Sequence, residues 1–173
     1  MNIPSPSSGE SVAEPWAVTD QEMRHGTQDR SIQFLTFMLD EEEYGIEILG
    51  VQEIKGWEKS TEIPNTPDYV LGVINLRGAV IPVIDLRRLF AMEPRRFSKL
   101  TVVIVLRVAH GDRERTMGVV VDAVSDVHNI DPDHIKPAPD FGASAESRFV
   151  KGLATVEEKM IILLDINNIV VQN

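Results

Sequence analysis

From Ser31 onward the apolar residues fall in short blocks, cut by Gly, Pro, Asp and runs of charge. Six of these blocks are rich in β-branched residues: Ile32–Leu39, Val70–Leu76, Ala79–Ile84, Leu100–Val108, Thr116–Val121 and Met160–Leu164. Their length and boundaries predict β-strands. Several are apolar at successive positions, as in strands covered on both faces. Helical periodicity is weak. Only Asp85-Leu-Arg-Arg-Leu-Phe90 and Asp165-Ile-Asn-Asn-Ile-Val170 predict helices, both short and both with Asp as the N-cap. The acidic run Asp40–Glu43 predicts a solvated hairpin turn. Pro82 lies inside a predicted strand and has no N–H to give, so an edge or a bulge is expected there.

The two helical segments belong to an internal repeat. The stretch 69-YVLGVINLRGAVIPVIDLRRLF-90 aligns without gaps on 149-FVKGLATVEEKMIILLDINNIV-170, at a constant offset of 80. Tyr69 meets Phe149, Gly72 meets Gly152 and Asp85 meets Asp165. An earlier pair, 44-YGIEILGVQEI-54 and 117-MGVVVDAVSDV-127, matches at offset 73. There Val51 meets Val124, Glu53 meets Asp126 and Ile54 meets Val127. The order of elements is the same in both halves, which predicts two related β units, near 31–95 and 98–173. About five short strands in each half point to an all-β fold of two tandem small barrels with short helices.

Residues 1–30 break this pattern. They hold eight apolar residues, and five acids against two arginines. Such a segment buries too little to offset its ordering entropy, so it is expected to be a flexible acidic tail. Trp16 is its one large aromatic residue.

The whole chain has 173 residues and a formal charge of -10. That balance argues against nucleic acid or an anionic membrane as the main partner. No block approaches the roughly 20 apolar residues of a membrane span. Cysteine is absent, which excludes disulfides and thiolate chemistry and fits a reducing, cytoplasmic compartment. The N-terminus shows neither the basic nor the apolar region of a secretory signal.

Catalytic signatures are missing: there is no GxxxxGK[ST], GxGxxG, HExxH or GxSxG. The four histidines lack metal-ligand spacing, and neither a metal nor a cofactor is expected. Asp85 and Asp165 could form part of an acid–base pair, but the N-cap accounts for both.

One lone cation needs explaining. Asn75-Leu-Arg-Gly78 interrupts an apolar run, with Arg77-Gly78 between two predicted strands. Gly supplies the positive φ of a tight hairpin, so an ordinary turn with an exposed Arg is one reading. An ion pair is another, with Glu53 as the candidate partner. A recognition loop is the third: the equivalent positions Thr155, Glu157 and Glu158 change the chemistry while the apolar frame is kept.

The segments 44-YGIEILGVQEIKG-56, 65-NTPDYVLGVINLRGAVIPVIDL-86, 101-TVVIVL-106, 118-GVVVDAVSDV-127 and 135-IKPAP-139 resemble the CheW family of bacterial chemotaxis coupling proteins, over about Gln33 to Val170. The resemblance implies two five-stranded SH3-like β-barrels and a non-catalytic adaptor. Its implied partners are the regulatory domain of the histidine kinase CheA and the cytoplasmic tips of chemoreceptors, in membrane-associated arrays or cytoplasmic clusters. The receptor-facing positions it implies are Val51, Glu53, Ile54, Gly72, Arg77, Val102, Val124 and Val127. Val80 is the implied kinase-facing position. The competing expectation is a β-barrel enzyme using Asp85, Glu53 and Arg77.

The composition of the tail yields a first prediction. Deleting residues 1–30 should leave the thermal midpoint within a few degrees of the full chain. A large drop in a thermal melt would show that the tail packs on the body.

Overall fold

The structure, a computed structural model, describes residues 30–139 and 145–171; the tail expectation, Trp16 included, lies outside them. The order is β1 (Ile32–Leu39), β2 (Glu42–Glu47), β3 (Val51–Gly56), β4 (Val70–Leu76), β5 (Ala79–Asp85), α1 (Leu86–Leu89), β6 (Val102–His110), β7 (Arg113–Val121), β8 (Ala123–Ile130), β9 (Val150–Val156), β10 (Lys159–Leu164) and α2 (Ile166–Val171). All six predicted strands are present. The four further strands, β2, β3, β8 and β9, carry charged or polar residues that break up their apolar runs.

The strands form two five-stranded sheets. A central sheet runs β3-β6-β7-β5-β4, and a flanking sheet runs β8-β1-β2-β10-β9. Adding five to each strand number of the central sheet, and wrapping past ten, yields the order of the flanking sheet. The repeat is therefore real in topology. The halves 31–95 and 98–173 do not map onto the sheets, however, because the halves exchange their first two strands. Residues 51–121 build the central sheet, and 32–47 with 123–164 build the flanking one. The exchange follows from two short crossovers. The 3-10 turn Ile48–Gly50 leads from β2 into the central sheet, and Asp122 alone leads back from β7.

Equivalent contacts confirm the match. Parallel pairs set Val83 against Gly118 in one sheet and Leu163 against Gly45 in the other, residues related by the two offsets. The Asp85 N–H donates to Tyr69 O at 2.7 Å, and the Asp165 N–H donates to Phe149 O at 2.8 Å. In each sheet the segment leaving one edge strand meets the other edge by a single bridge, Thr61 with Val73 and Lys136 with Leu153. One bridge, and not a full ladder, stands where a closed barrel would seal.

β5 lies between β7 and β4, but at Pro82 its β7 side is unpaired, so the proline stands at a locally open edge of the strand. The parallel ladder to β7 starts one residue later, at Val83, so no bond of that ladder is lost. A register shift on β4, between Val70 and Gly72, falls opposite Val83–Ile84.

Each sheet has a small core of its own, Leu76, Ile81, Val83, Val103, Val105 and Val120 in the central one, Phe34, Ile130, Ala154, Ile161 and Leu163 in the flanking one. The largest cluster lies between the sheets and draws on both. Through it runs a chain of buried rings: Phe37–Tyr44, Tyr44–Phe90 and Phe90–Phe149, with centroids 6.0, 5.8 and 5.6 Å apart. Each such ring contributes roughly 1.5–3 kcal/mol by burial alone, so the sheets stabilise each other.

Both helices start as expected. Asp85 Oδ1 accepts from the Arg87 N–H at 3.0 Å, and Asp165 Oδ1 from the Asn167 N–H at 2.9 Å. Asp85 is buried, and burial pushes its carboxyl above the ordinary 3.8, against the Arg87 N–H and the Arg88 charge. The folded state thus holds this proton more tightly than the unfolded chain. Through the window above 3.8, this group makes stability fall as pH rises. Asp85→Ala should cost about 1 kcal/mol, whereas Asp85→Asn, an equally good cap, should cost less and remove that pH-dependent component. Urea unfolding across the acidic range checks both; equal stability of the Ala and Asn variants would remove the capping role.

Candidate functional site

In a regular strand, residues three apart point to opposite faces. Val51 and Ile54 are three apart, as are Val124 and Val127, so the expected cleft requires each strand to break its alternation. Both do. On β3 the pairing jumps from Val51–Leu106 to Glu53–Val105, which leaves Gln52 as an extra residue. On β8 it jumps from Phe37–Val124 to Leu35–Val127. A β-bulge of this kind re-aims the side chains beyond it. Val51 and Ile54 therefore stand opposite Leu106 and Ile104, and Val124 and Val127 opposite Phe37 and Leu35. All four opposite residues belong to the core between the sheets.

β3 and β8 are the equivalent edge strands of the two sheets. Val51, Val102 and Val124 pack partly buried against the shared core. Ile54 and Val127 lie further out, 42% and 41% exposed. The two units thus supply matched apolar residues to the border of one core, and the outer member of each pair is open to solvent.

Glu53 and Arg77 lie elsewhere. Beyond the bulge Glu53 is opposite Val105, whose side chain enters the core of the central sheet. Glu53 therefore occupies the other face of β3 from Ile54. Arg77 Nη1 stands 3.2 Å from Glu53 Oε2, with the guanidinium side chain 79% exposed and the carboxylate 21%. This Oε2 is buried and makes no aligned hydrogen bond among the described residues. Arg77 has φ 52° and Gly78 φ 88°, the positive pair that a two-residue hairpin turn requires. Asn75 Oδ1 accepts from the Gly78 N–H at 2.8 Å and closes the turn. All three sequence readings of this loop are thus compatible: it is a turn, it carries an ion pair, and its cation faces solvent.

Gly72 is buried, with φ 133°, and an added Cβ would come within 2.0 Å of Thr61 O. Its glycine is accounted for by the close approach of the Thr61 backbone, and it presents no side chain to a partner. Val80 is 66% exposed on β5. Asp85 is a buried N-cap on a different element from Glu53, and the three residues of the enzyme alternative form no common centre. Among the described residues no group of three or more His, Asp or Glu is placed to hold a metal.

Sequence reasoning missed Thr36. It is wholly buried opposite the β8 bulge, where its Oγ1 donates to Asp126 O and accepts from the Asp126 N–H, both at 3.1 Å. The hydroxyl takes the place of the ladder bonds that the bulge removes. A Thr among the apolar residues Phe34–Leu39 of β1 was the available signal.

The described residues form a two-sheet protein with an apolar border formed by two edge strands, a solvent-facing charged hairpin and, among them, no assembled reaction centre. The CheW-like domain family matches residues 33–173. The chain is 46% identical over 137 residues to the chemotaxis protein CheW of Klebsiella aerogenes, covering 79% of this chain and 80% of that protein. It is 37% identical over 134 residues to a probable chemotaxis protein CheW of Rhizobium etli, covering 78% and 84%. The crystal structure of the scaffolding protein TtCheW from Thermoanaerobacter tengcongensis superposes with a TM-score of 0.70 at 37% identity, over 78% of this chain and 84% of that one. The chain belongs to the CheW-like family, whose members are scaffold proteins of chemotaxis and not catalysts.

The Thr36 contacts generate a prediction. Thr36→Val keeps the shape but leaves the Asp126 N–H and C=O without their partner, at a cost of about 1–3 kcal/mol. Chemical denaturation measures this directly. A variant as stable as the parent would show that the hydroxyl does not hold the bulge.

Proposed function

We propose that this protein is the coupling adaptor of a chemosensory signalling complex. It joins the cytoplasmic tips of chemoreceptors to the regulatory domain of the histidine kinase CheA, in the cytoplasm at receptor arrays or clusters. The observation that carries this reading is the pair of bulges. They turn Val51, Ile54, Val124 and Val127 toward one core and leave Ile54 and Val127 open. A receptor helix presents apolar residues in a stripe, and a two-sided apolar border fits such a stripe.

In this reading Val51, Ile54, Val102, Val124 and Val127 line the receptor seat. Gly72 shapes it through the close backbone approach at Thr61. Arg77 and Glu53 flank it on the other face of the edge strand. Arg77 contacts the receptor, and Glu53 holds its guanidinium in place. Val80, exposed on the other sheet edge hairpin, belongs to the kinase-facing surface. Separate faces let one small protein hold two partners together.

Co-sedimentation with a receptor-tip fragment and the kinase tests the reading: a ternary complex should form with no chemical change in this chain. Arg77→Ala should remain folded, since an exposed ion pair is worth about 1 kcal/mol or less. It should nevertheless weaken receptor binding strongly, as should Glu53→Ala. The double variant should lose less than the two losses combined. Simple additivity of the losses would make the two residues independent. Parent-like binding by Arg77→Ala would reduce the loop to a plain turn.

A further inference from the structure

Among the described residues, one of the two crossovers carries a charge cluster that joins both sheets. Asp122 is the single residue between β7 and β8, and its backbone N–H donates to Met38 O at 3.1 Å. Its Oδ2 accepts from the Asp40 N–H at 2.8 Å, and Asp40 sits at the β1–β2 turn with φ 55°. Arg87 of α1 reaches both acids. Its Nη1 donates to Asp40 Oδ1 at 3.0 Å and to Glu93 O at 3.2 Å, its Nη2 also meets Asp40 Oδ1, and its Nε lies 3.4 Å from Asp122 Oδ1. The Arg87 side chain is only 5% exposed. Arg95 closes the cluster from outside, 3.5 Å from Asp122 and 3.9 Å from Asp40. Two cations and two anions balance, so the buried guanidinium is compensated. Asp40 is thus more than the solvated turn residue that the acidic run suggests.

The repeat supplies a built-in comparison. Leu49 is the equivalent of Asp122 at offset 73, and Asn167 that of Arg87 at offset 80. Leu49 is 91% exposed. Glu47 at the start of that crossover pairs with Lys151 of the same sheet, but among the described residues no charge cluster ties the two sheets together there, although the chain crosses between the same two sheets. The clamped crossover is the one that leads into β8, two residues before Val124 and five before Val127. It ties α1 of the central sheet, the β1–β2 turn of the flanking sheet and the start of β8 to one guanidinium.

We infer that Arg87 and Asp122 are positioning residues for the receptor seat: their clamp sets the angle at which β8 leaves the central sheet, and so the placement of Val124 and Val127 relative to Val51 and Ile54. This inference rests on the receptor-seat reading above. The clamp does not touch Val80, so its loss acts on the receptor seat and not on the kinase-facing surface.

The experiment uses the full chain with Asp122→Ala, the milder Asp122→Asn and, as a reference, Val127→Glu. Binding is titrated against the receptor-tip fragment and, separately, the CheA regulatory domain, and amide hydrogen exchange is followed in β8. Asp122→Ala should weaken receptor binding by about tenfold, leave kinase binding within about twofold, and speed exchange of β8 amides more than those of β6. Asp122→Asn, which still accepts from Asp40, should fall between Ala and parent. Unchanged β8 exchange in both Asp122 variants overturns the clamp. Equal losses toward receptor and kinase also overturn it, since they mark general destabilisation. If Val127→Glu abolishes receptor binding while Asp122→Ala leaves it intact, the positioning inference fails alone. If Val127→Glu itself binds like the parent, the seat is misassigned, and the inference falls with it.

Discussion

Strand exchange between the two halves of the repeat is the constraint on which the rest of the structure depends. β1 and β2 come first in the chain yet sit with β8, β9 and β10, while β6 and β7 complete the sheet of β3, β4 and β5. Neither sheet can form from one half alone. The crossovers are three residues and one residue long, too short for the sheets to drift apart. The sheets are thus forced into contact, and the space between them fills with side chains from both, the ring chain Phe37–Tyr44–Phe90–Phe149 above all. The border between the sheets is then as rigid as the core beneath it.

That arrangement also explains how the border can be apolar without being open along its whole length. Val51, Val102 and Val124 are half-covered by the core they pack against, and only Ile54 and Val127 reach well into solvent. Two bulges achieve this. One extra residue in each edge strand reverses the alternation at a chosen point, so that a pattern at spacing three lands on one face. The β8 bulge is held by a buried hydroxyl, and the crossover before it by a buried guanidinium. Polar groups inside the molecule are concentrated where geometry has to be set, and apolar groups supply the bulk of the cohesion.

Parts of the site were legible in advance for a plain reason. Arg77 stood out because a charge inside an apolar run needs a partner or a purpose, and Glu53 was the acid in the matching block. Their separation of 3.2 Å agrees with that reading. The N-cap role of Asp85 and Asp165 was equally visible, since a cap acts on residues next to it in the chain. Thr36, Asp40, Arg87 and Asp122 were not visible. Their contacts with one another and with Asp126 span 35 to 90 residues, and no local pattern records such a distance. Which side of β5 is open at Pro82 was hidden for the same reason, because the partners of a strand are decided remotely in sequence: only from Val83 on does β5 pair with β7.

By itself the sequence determined six of the ten strand positions, the two short helices, the repeat with its offsets of 73 and 80, and the hairpin that carries Arg77. These depend on alternation, turn chemistry and capping, which act over a few residues. Only the tertiary structure decided which half each strand joins, which face each side chain takes past a bulge, and which buried acid meets which buried base. Backbone ladders accept any strand of suitable pattern, and the repeat made β1 and β6 near-interchangeable as candidates. What chose between them was the length of the crossovers and the packing of the shared core, quantities that exist only once the chain has closed on itself.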